Sequence, residues 1–367
     1  MTDNNLYFNG NDFTTFVSFA KSMNLRDRSK FSKVALLHVE NGQLICRAID
    51  DTSSYIEYNV ELYNTENLID EYIAIPITDL SVLIKCANSD RFAIRKNISQ
   101  YEFNIIGGGW LPFKTCDINC SKFSIDGEVS EVGKINSTKL RNAISSVLNY
   151  TQEGIYPRDK YIVFTDDQMT VTSRRSSVVT KDNFLNMILH RDDAAMLKSL
   201  LKDNIELSVN KVKSAIERIL FIGDKFKFAV VASDVSPVNI NYIDSINNYL
   251  KIDCDELYKI CSFSEEYSVS KHILGVTVKD GELKVSIKNI LAAKHVSFIK
   301  SKRVGSVADV LTEAEIPTSN LLRVLRLFQD KKSKDINIYM TEQMIADEGN
   351  IIIFDENTQA VLDICSR

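Results

Sequence analysis

Three stretches of this chain follow one order of events, and that internal repeat limits the fold more than any other feature. In each, an amphipathic helix leads to a hairpin and further strands. A second amphipathic helix and more strands follow. The hairpins mark the repeat first. Val34 to Val39, the turn Asn41-Gly42 and Leu44 to Ile49 read as strand, two-residue turn and strand. Asn-Gly is favoured there because both central residues of a type I′ turn need φ > 0. Ile273 to Val278, Asp280-Gly281 and Leu283 to Ile287 repeat the pattern. A weaker copy runs Tyr161 to Phe164, Asp166-Asp167 and Met169 to Thr172.

The second helices carry matching apolar stripes at i, i+3, i+4, which place three side chains on one helical face. These are Leu80, Leu83, Ile84; Leu197, Leu200, Leu201; and Leu321, Val324, Leu325. Pro76 and Pro317 stand just ahead of two of them, where the first turn tolerates proline. The stripes are spaced by 117 and 124 residues, and the hairpin turns at 41, 166 and 280 by 125 and 114. Two independent landmarks therefore give a period near one third of the 367-residue chain. The first helices show stripes at Phe13, Phe16, Val17, Ala20; Leu140, Ile144, Val147, Leu148; and Leu257, Ile260, Cys261, the last opened by Asp253 or Asp255 as cap. The expected fold is α+β, built from three β-α-β modules spanning residues 1–127, 128–248 and 249–367.

Charge gives the repeat a direction. A basic residue falls five places after the first leucine of each second-helix stripe, at Lys85, Lys202 and Arg326. Five positions are about 500° of helix, so these groups point outward from the apolar face. Lys198 and Arg323 thicken the stripe, while Lys21, Arg26, Arg28, Lys139, Arg141 and Lys259 lie on or after the first helices. A single such residue is usually part of a solvated face. Recurrence across three modules instead predicts one common basic surface, attracting phosphates in a sequence-independent, salt-sensitive way. The net charge of −5 places the acids elsewhere. Seven scattered cysteines argue for reduced thiols rather than a disulfide framework, and no apolar run is long enough to span a membrane, so a cytoplasmic protein is expected.

In order, length and repeat the chain resembles the bacterial-type DNA polymerase sliding clamps, the β-subunit family, in a divergent or virus-encoded form. Ser233-Asp234-Val235-Ser236-Pro237-Val238 resembles the end of the family's second domain, and Ile316-Pro317-Thr318-Ser319-Asn320-Leu321-Leu322 the entry to its last helix. The resemblance implies a homodimeric ring around duplex DNA, helices lining the inside and sheets outside. Such a ring is a processivity factor that tethers the replicative polymerase. It also implies that the polymerase and the clamp loader dock through short apolar peptides. By position their pocket involves Val178, Pro237, Val238, Tyr242, Val361, Leu362 and Ile364. Head-to-tail contacts would run through edge strands near Tyr101 to Ile106 and Lys271 to Val278. Here Leu362-Asp363-Ile364-Cys365-Ser366-Arg367 replaces the family's usual C-terminal stretch, and Ser173-Arg174-Arg175-Ser176-Ser177-Val178 replaces a usual pocket segment. A clamp-like scaffold for transcription or repair proteins and a monomeric, non-encircling processivity factor are the alternatives.

Catalytic constellations are missing from the sequence. His38, His190, His272 and His295 lack ligand spacing, and Cys116 and Cys120 lack the second pair a zinc site needs. Gly107-Gly108-Gly109-Trp110 has no phosphate-loop lysine and reads as an interdomain turn. The expectation is a protein without enzymatic activity, cofactor or metal.

Overall fold

A computed structural model describes residues 5–24, 34–50, 54–64, 71–87, 90–98, 100–151, 157–173, 176–202, 204–233, 242–247, 249–267, 273–279, 282–288, 294–300, 302–304, 314–340 and 350–363. Among them one unit, a strand, a helix and three strands, occurs six times. The first pair is β1 (Asn5–Asn9), α1 (Gly10–Asn24), β2 (Val34–Glu40), β3 (Gln43–Ile49), β4 (Tyr55–Glu61), then β5 (Ile73–Pro76), α2 (Ile77–Cys86), β6 (Arg91–Asn97), β7 (Gln100–Asn104), β8 (Trp110–Phe113). The second pair is β9 (Glu128–Asn136), α3 (Ser137–Leu148), β10 (Tyr161–Phe164), β11 (Gln168–Ser173), β12 (Ser176–Lys181), then β13 (Met187–His190), α4 (Arg191–Leu200), β14 (Glu206–Lys213), β15 (Arg218–Ile222), β16 (Phe226–Val231). The third is β17 (Tyr249–Asp253), α5 (Cys254–Tyr267), β18 (Ile273–Lys279), β19 (Glu282–Lys288), β20 (Lys294–Lys300), then, after the short extra strand β21 (Lys302–Val304), β22 (Ala314–Pro317), α6 (Thr318–Asp330), β23 (Asp335–Met340), β24 (Asn350–Phe354), β25 (Thr358–Asp363).

Each helix springs directly from a strand, and the joints explain why. The Asn9 side chain accepts the Asp12 backbone N–H at 3.1 Å, Asn136 accepts that of Lys139 at 3.0 Å, and Asp253 accepts that of Glu256 at 2.9 Å. These are N-caps at equivalent positions, each worth about 1 kcal/mol. The second helices use another start. Pro76 and Pro317 precede α2 and α6 without a side-chain cap, with φ near −60° already suited to the first turn. His190 Nδ1 accepts the Asp192 N–H at the head of α4.

The hairpins differ from one another in their turns. Asn41 and Gly42 have φ of 51° and 74°, the left-handed pair that a type I′ turn requires. The Asp166-Asp167 connection is closed by a 2.8 Å bond from Thr165 N–H to the Gln168 carbonyl, yet neither aspartate has positive φ. Asp280-Gly281 lies outside the described residues, between the paired Lys279 and Glu282. Gly107 and Gly108, at φ +88° and +80°, form the hairpin tip between β7 and β8, not the interdomain turn expected from the sequence.

The chain divides into two compact units, Met1–Leu140 with Ala195–Ser233 and Arg141–Ala194 with Asp234–Arg367. In the first, strands order as β1-β6-β7-β8 and as β5-β2-β3-β4-β16-β15-β14-β9. Phe8, Phe13, Phe92 and Phe103 pack there with ring centroids 4.9 to 6.5 Å apart. The second unit orders its strands as β13-β10-β11-β12-β25-β24-β23-β17-β21 and as β20-β19-β18-β22. The two long sheets share a design. The fourth strand of one pair of units, β4 or β12, pairs antiparallel with the last strand of the next pair, β16 or β25.

That design overturns the expected edge strands. Tyr101–Asn104 lies in β7, flanked by β6 and β8, and β18 is flanked by β19 and β22. The equivalents of β16 and β12 that end their sheets are β8 and β20. β8 is four residues long and contains Pro112, a composition that reads as a turn in sequence but is tolerated at a sheet edge.

Candidate nucleic-acid interface and partner pocket

The basic residues fall into three groups. Lys21 in the last turn of α1, Lys85 in the last turn of α2, Arg141 on α3 and Lys259 on α5 are exposed, as their helical spacing predicts. Lys139 and Lys198 are half-buried, and Arg26 and Arg28 lie outside the described residues. Lys202 is exposed but not helical. α4 ends at Leu200, where the Leu201 and Lys202 N–H groups fold back onto the Lys198 and Leu200 carbonyls. Its direction therefore follows from that tight turn and not from a helical wheel.

Arg323 and Arg326 form the third group, because α6 brings them onto one groove of about 370 Å³. Arg326 is exposed, and its Nε donates to the Tyr258 hydroxyl at 3.0 Å. That bond raises its pKa further above the usual range. Arg323 is half-buried, donates to the Ser173 hydroxyl at 2.6 Å and lies 6.0 Å from the centroid of the Tyr150 ring. Burial lowers its pKa, an effect that the nearby Tyr150 and Asp159 oppose. Tyr150 is itself anchored, its hydroxyl 2.5 Å from that of Ser176. The sequence stripe gives no sign of this pocket around a guanidinium, since Ser173, Ser176, Tyr150 and Asp159 are distant in the chain.

The residues assigned to a peptide pocket separate onto two faces of one sheet. Val178 pairs with Ala360, and Ser176 with Leu362, so Val178 and Leu362 share a face. Both are 0 % exposed. Val361, half-buried, points to the other face together with Gln359. The Gln359 amide makes two bonds to Ile243, accepting its N–H at 2.9 Å and donating to its carbonyl at 2.7 Å. The adjoining Tyr242 donates to the Glu356 carbonyl at 3.1 Å, and Lys181 pairs with Asp244 at 2.6 Å. The structure thus brings Tyr242 to the Val361 face, apart from Val178 and Leu362. Pro237, Val238 and Ile364 lie outside the described residues.

Among the described residues no three His, Cys, Asp or Glu side chains gather as a metal centre requires, and no helix is long and apolar enough to cross a membrane.

Solved structures supply the remaining comparison. The DNA polymerase sliding clamp of Pseudomonas aeruginosa superposes with a TM-score of 0.76 at 14 % identity, over 98 % of this chain and 99 % of that one. This chain has the sliding-clamp fold. DNA polymerase III subunit beta of Borrelia burgdorferi, solved with a natural product, gives 0.73 at 15 % identity over 99 % of both chains. The Helicobacter pylori beta clamp, solved with a DNA ligase peptide, gives 0.75 at 10 % identity over 98 % and 99 %. The sequence itself matches no protein-family model and no curated protein. What links this chain to the clamps is the arrangement of strands and helices along nearly the full length of each.

Proposed function

We propose that the chain is a DNA sliding clamp: two copies close head to tail around duplex DNA and tether a replicative polymerase, with no chemistry of their own. One observation carries this reading. The pairings β4 with β16 and β12 with β25 recur, and continuing the series calls for β20 to pair with β8. Both are end strands of their sheets, so the partner for each is a second copy of the chain. An unpaired strand edge displays free N–H and C=O groups that favour such an addition. The three modules 1–127, 128–248 and 249–367 are then joined by equivalent seams, within the chain and between chains.

A protein acting in replication in this way works in the cytoplasm. Its partners would include a polymerase and a clamp loader, whose apolar peptides would dock beside Tyr242 and Val361. The ligase peptide on the Helicobacter pylori clamp supports such a mode. A scaffold for transcription or repair proteins would share the ring, and capture of a polymerase subunit through a short peptide separates the two roles.

The reading predicts a discrete species of twice 41.6 kDa in sedimentation. It predicts retention on circular DNA and rapid loss once the circle is cut. A chain of single mass that leaves circles and linear DNA at one rate is a monomeric factor, and the ring fails. Replacing Lys85, Lys202 and Arg326 together by alanine is expected to weaken binding to duplex DNA. The slope of log K against log salt should fall by about one unit for each phosphate that is no longer neutralised. Unchanged affinity and slope would remove these three residues from the DNA surface.

A further inference from the structure

β1, β9 and β17 open the three pairs of units, and among the described residues only β1 and β17 are covered along both edges. β1 pairs with β6, and the chain leaving β4 takes its other edge. There Phe8 bridges to Leu62, and the Tyr63 N–H donates to the Tyr7 carbonyl at 2.9 Å. The Asn64 side chain accepts the Tyr7 N–H at 2.8 Å and donates to the Asn5 carbonyl at 2.7 Å. β17 lies between β23 and β21, the short strand that follows β20. In both cases the connector is long, from 62 to 72 before β5 and from 301 to 313 before β22. In the second pair it runs only from 182 to 186. Its groups turn back onto their own hairpin. The Asp182 and Phe184 N–H groups donate to the Asp167 and Asp166 carbonyls at 3.0 and 3.2 Å, and the Asn186 amide to the Asp166 carboxylate at 2.9 Å.

β9 thus pairs with β14 and ends its sheet. It has nine residues, while β5, β8, β13 and β22, which also end sheets, have four. Glu128, Val129, Ser130 and Glu131 are all exposed, Val129 to 56 %, whereas β1 has no exposed residue and β17 only Lys251. A row of free N–H and C=O groups of this length is a template for strand addition.

Two features select what can add. Val132 is a bulge, the extra residue between Gly133 opposite Val209 and Glu131 opposite Asn210, so the regular run open to a new strand is 128–131. Lys213 faces Glu128 across the ladder and Asn210 faces Glu131, but neither carboxylate makes an ion pair among the described residues. Glu206 of the same ladder does, with Lys134 at 3.3 Å. Side chains alternate, so Glu131 shares a face with Val129 and Glu128 lies on the other. A second copy of β9 would bring the same acids to the seam, where like charges repel. The complementary strand carries a lysine or arginine opposite each glutamate and an apolar side chain opposite Val129.

We propose that the free edge of β9 is a docking site for an extended basic segment of a partner protein, added as a strand along residues 128–131. The edge takes no part in the junction of β8 with β20 or in the peptide site beside Tyr242, so its tests and those of the clamp reading succeed or fail separately.

Hydrogen exchange of the full-length protein, read by mass on fragments spanning β9, tests the proposal. In the free protein the outward N–H groups of 128–131 are expected to exchange nearly as fast as unstructured chain. The probe is a synthetic peptide, acetyl-Thr-Lys-Thr-Val-Lys-Thr-amide. In antiparallel register it sets its lysines opposite Glu131 and Glu128 and its valine opposite Val129. At the concentration where it slows those amides about tenfold, a variant with both Glu128→Lys and Glu131→Lys should exchange as if no peptide were present. Both positions are exposed, so the variant keeps the parental thermal midpoint. The same peptide methylated at every backbone nitrogen keeps its charges, loses its donors and should leave the parent's exchange unchanged. Slow exchange in the free protein means that the chain covers this edge itself, and overturns the proposal. So does the absence of any slowing by the peptide, or equal slowing in the variant. Equal slowing by the methylated peptide marks attraction between charges without strand addition, and overturns it too. A sedimenting mass that falls in the variant identifies the occupant as a second copy of the chain, with the same consequence.

Discussion

Leu111→Asp in β8 is expected to halve the sedimenting mass from twice 41.6 kDa to 41.6 kDa and to abolish retention on circular DNA, with the chain still folded. Leu111 is half-buried in an end strand, opposite Phe103 on its paired side. In the isolated chain its carboxylate can turn to solvent. In a closed ring β20 of the neighbour covers that edge, and an unpaired buried charge costs about 3 to 5 kcal/mol. That is on the order of a hundred- to several-thousandfold in association, and a two-chain ring meets it at both junctions. Ile98→Asp makes a matched control. Ile98 is 96 % exposed at the hairpin tip between β6 and β7 and has φ of 53°, a conformation that aspartate adopts more readily than isoleucine. It should leave mass and retention unchanged. If Leu111→Asp keeps the doubled mass, β8 is not the closing edge.

The contrast between the repeat and its edges shows what the sequence can reveal. The repeat is local: Asn41-Gly42, the leucine triplets and the prolines ahead of α2 and α6 each act within a few residues, and each appears where expected save Leu201, which falls just past the end of α4. The caps Asn9 and Asn136 are equally local. Asp12 follows Asn9 in the first turn of α1 much as Asp255 and Glu256 follow Asp253, whereas the first turn after Asn136 holds no acid. Strand order is different. Pairing β4 with β16 joins residues some 170 positions apart, and no alternation of apolar and polar residues encodes which edge meets which. The peptide pocket suffers from a one-residue issue of the same kind. Val361 and Leu362 are neighbours in sequence and face opposite sides of β25, so placing them together by position in the chain ignores the pleat. Lys202 and Arg323 depart for two further reasons. No glycine or proline announces the end of α4 before Lys202, and a basic residue on a helix exterior gives no hint that a distant serine and tyrosine will shelter it.

Glu57→Gln, a near-isosteric change at a buried carboxylate, is expected to lower the stability of the first unit by about 3 kcal/mol or more. Glu57 stands at the β4–β16 seam, paired in register with Arg47 of β3 and Lys227 of β16. One carboxylate oxygen accepts Arg47 Nε at 2.8 Å and the Tyr55 hydroxyl at 2.9 Å, while the other accepts Lys227 Nζ at 2.7 Å. Burial alone would raise its pKa, but the hydrogen bonds from Lys227, Arg47 and Tyr55 outweigh that and hold it below its ordinary value. An amide keeps one acceptor, turns two donors toward donors, takes from Lys227 its carboxylate and leaves Arg47 the longer pair with Glu40 at 3.7 Å. For a unit of this size the midpoint of thermal unfolding should drop by roughly 6 to 12 °C at neutral pH. The pH dependence has a definite sign. A carboxylate with a depressed folded pKa stabilises fully above its unfolded pKa, and the contribution fades as pH falls through the folded one. The gap between parent and variant should therefore be widest at neutral pH and narrow below pH 4.5, the ordinary value of the group. Lys227→Met should cost less, since the Lys227 side chain is about half exposed, and it should restore part of the stability of Glu57→Gln by removing the stranded cation. Equal thermal midpoints for the parent and Glu57→Gln at pH 7 would mean that the seam is held by its backbone ladder and not by this carboxylate.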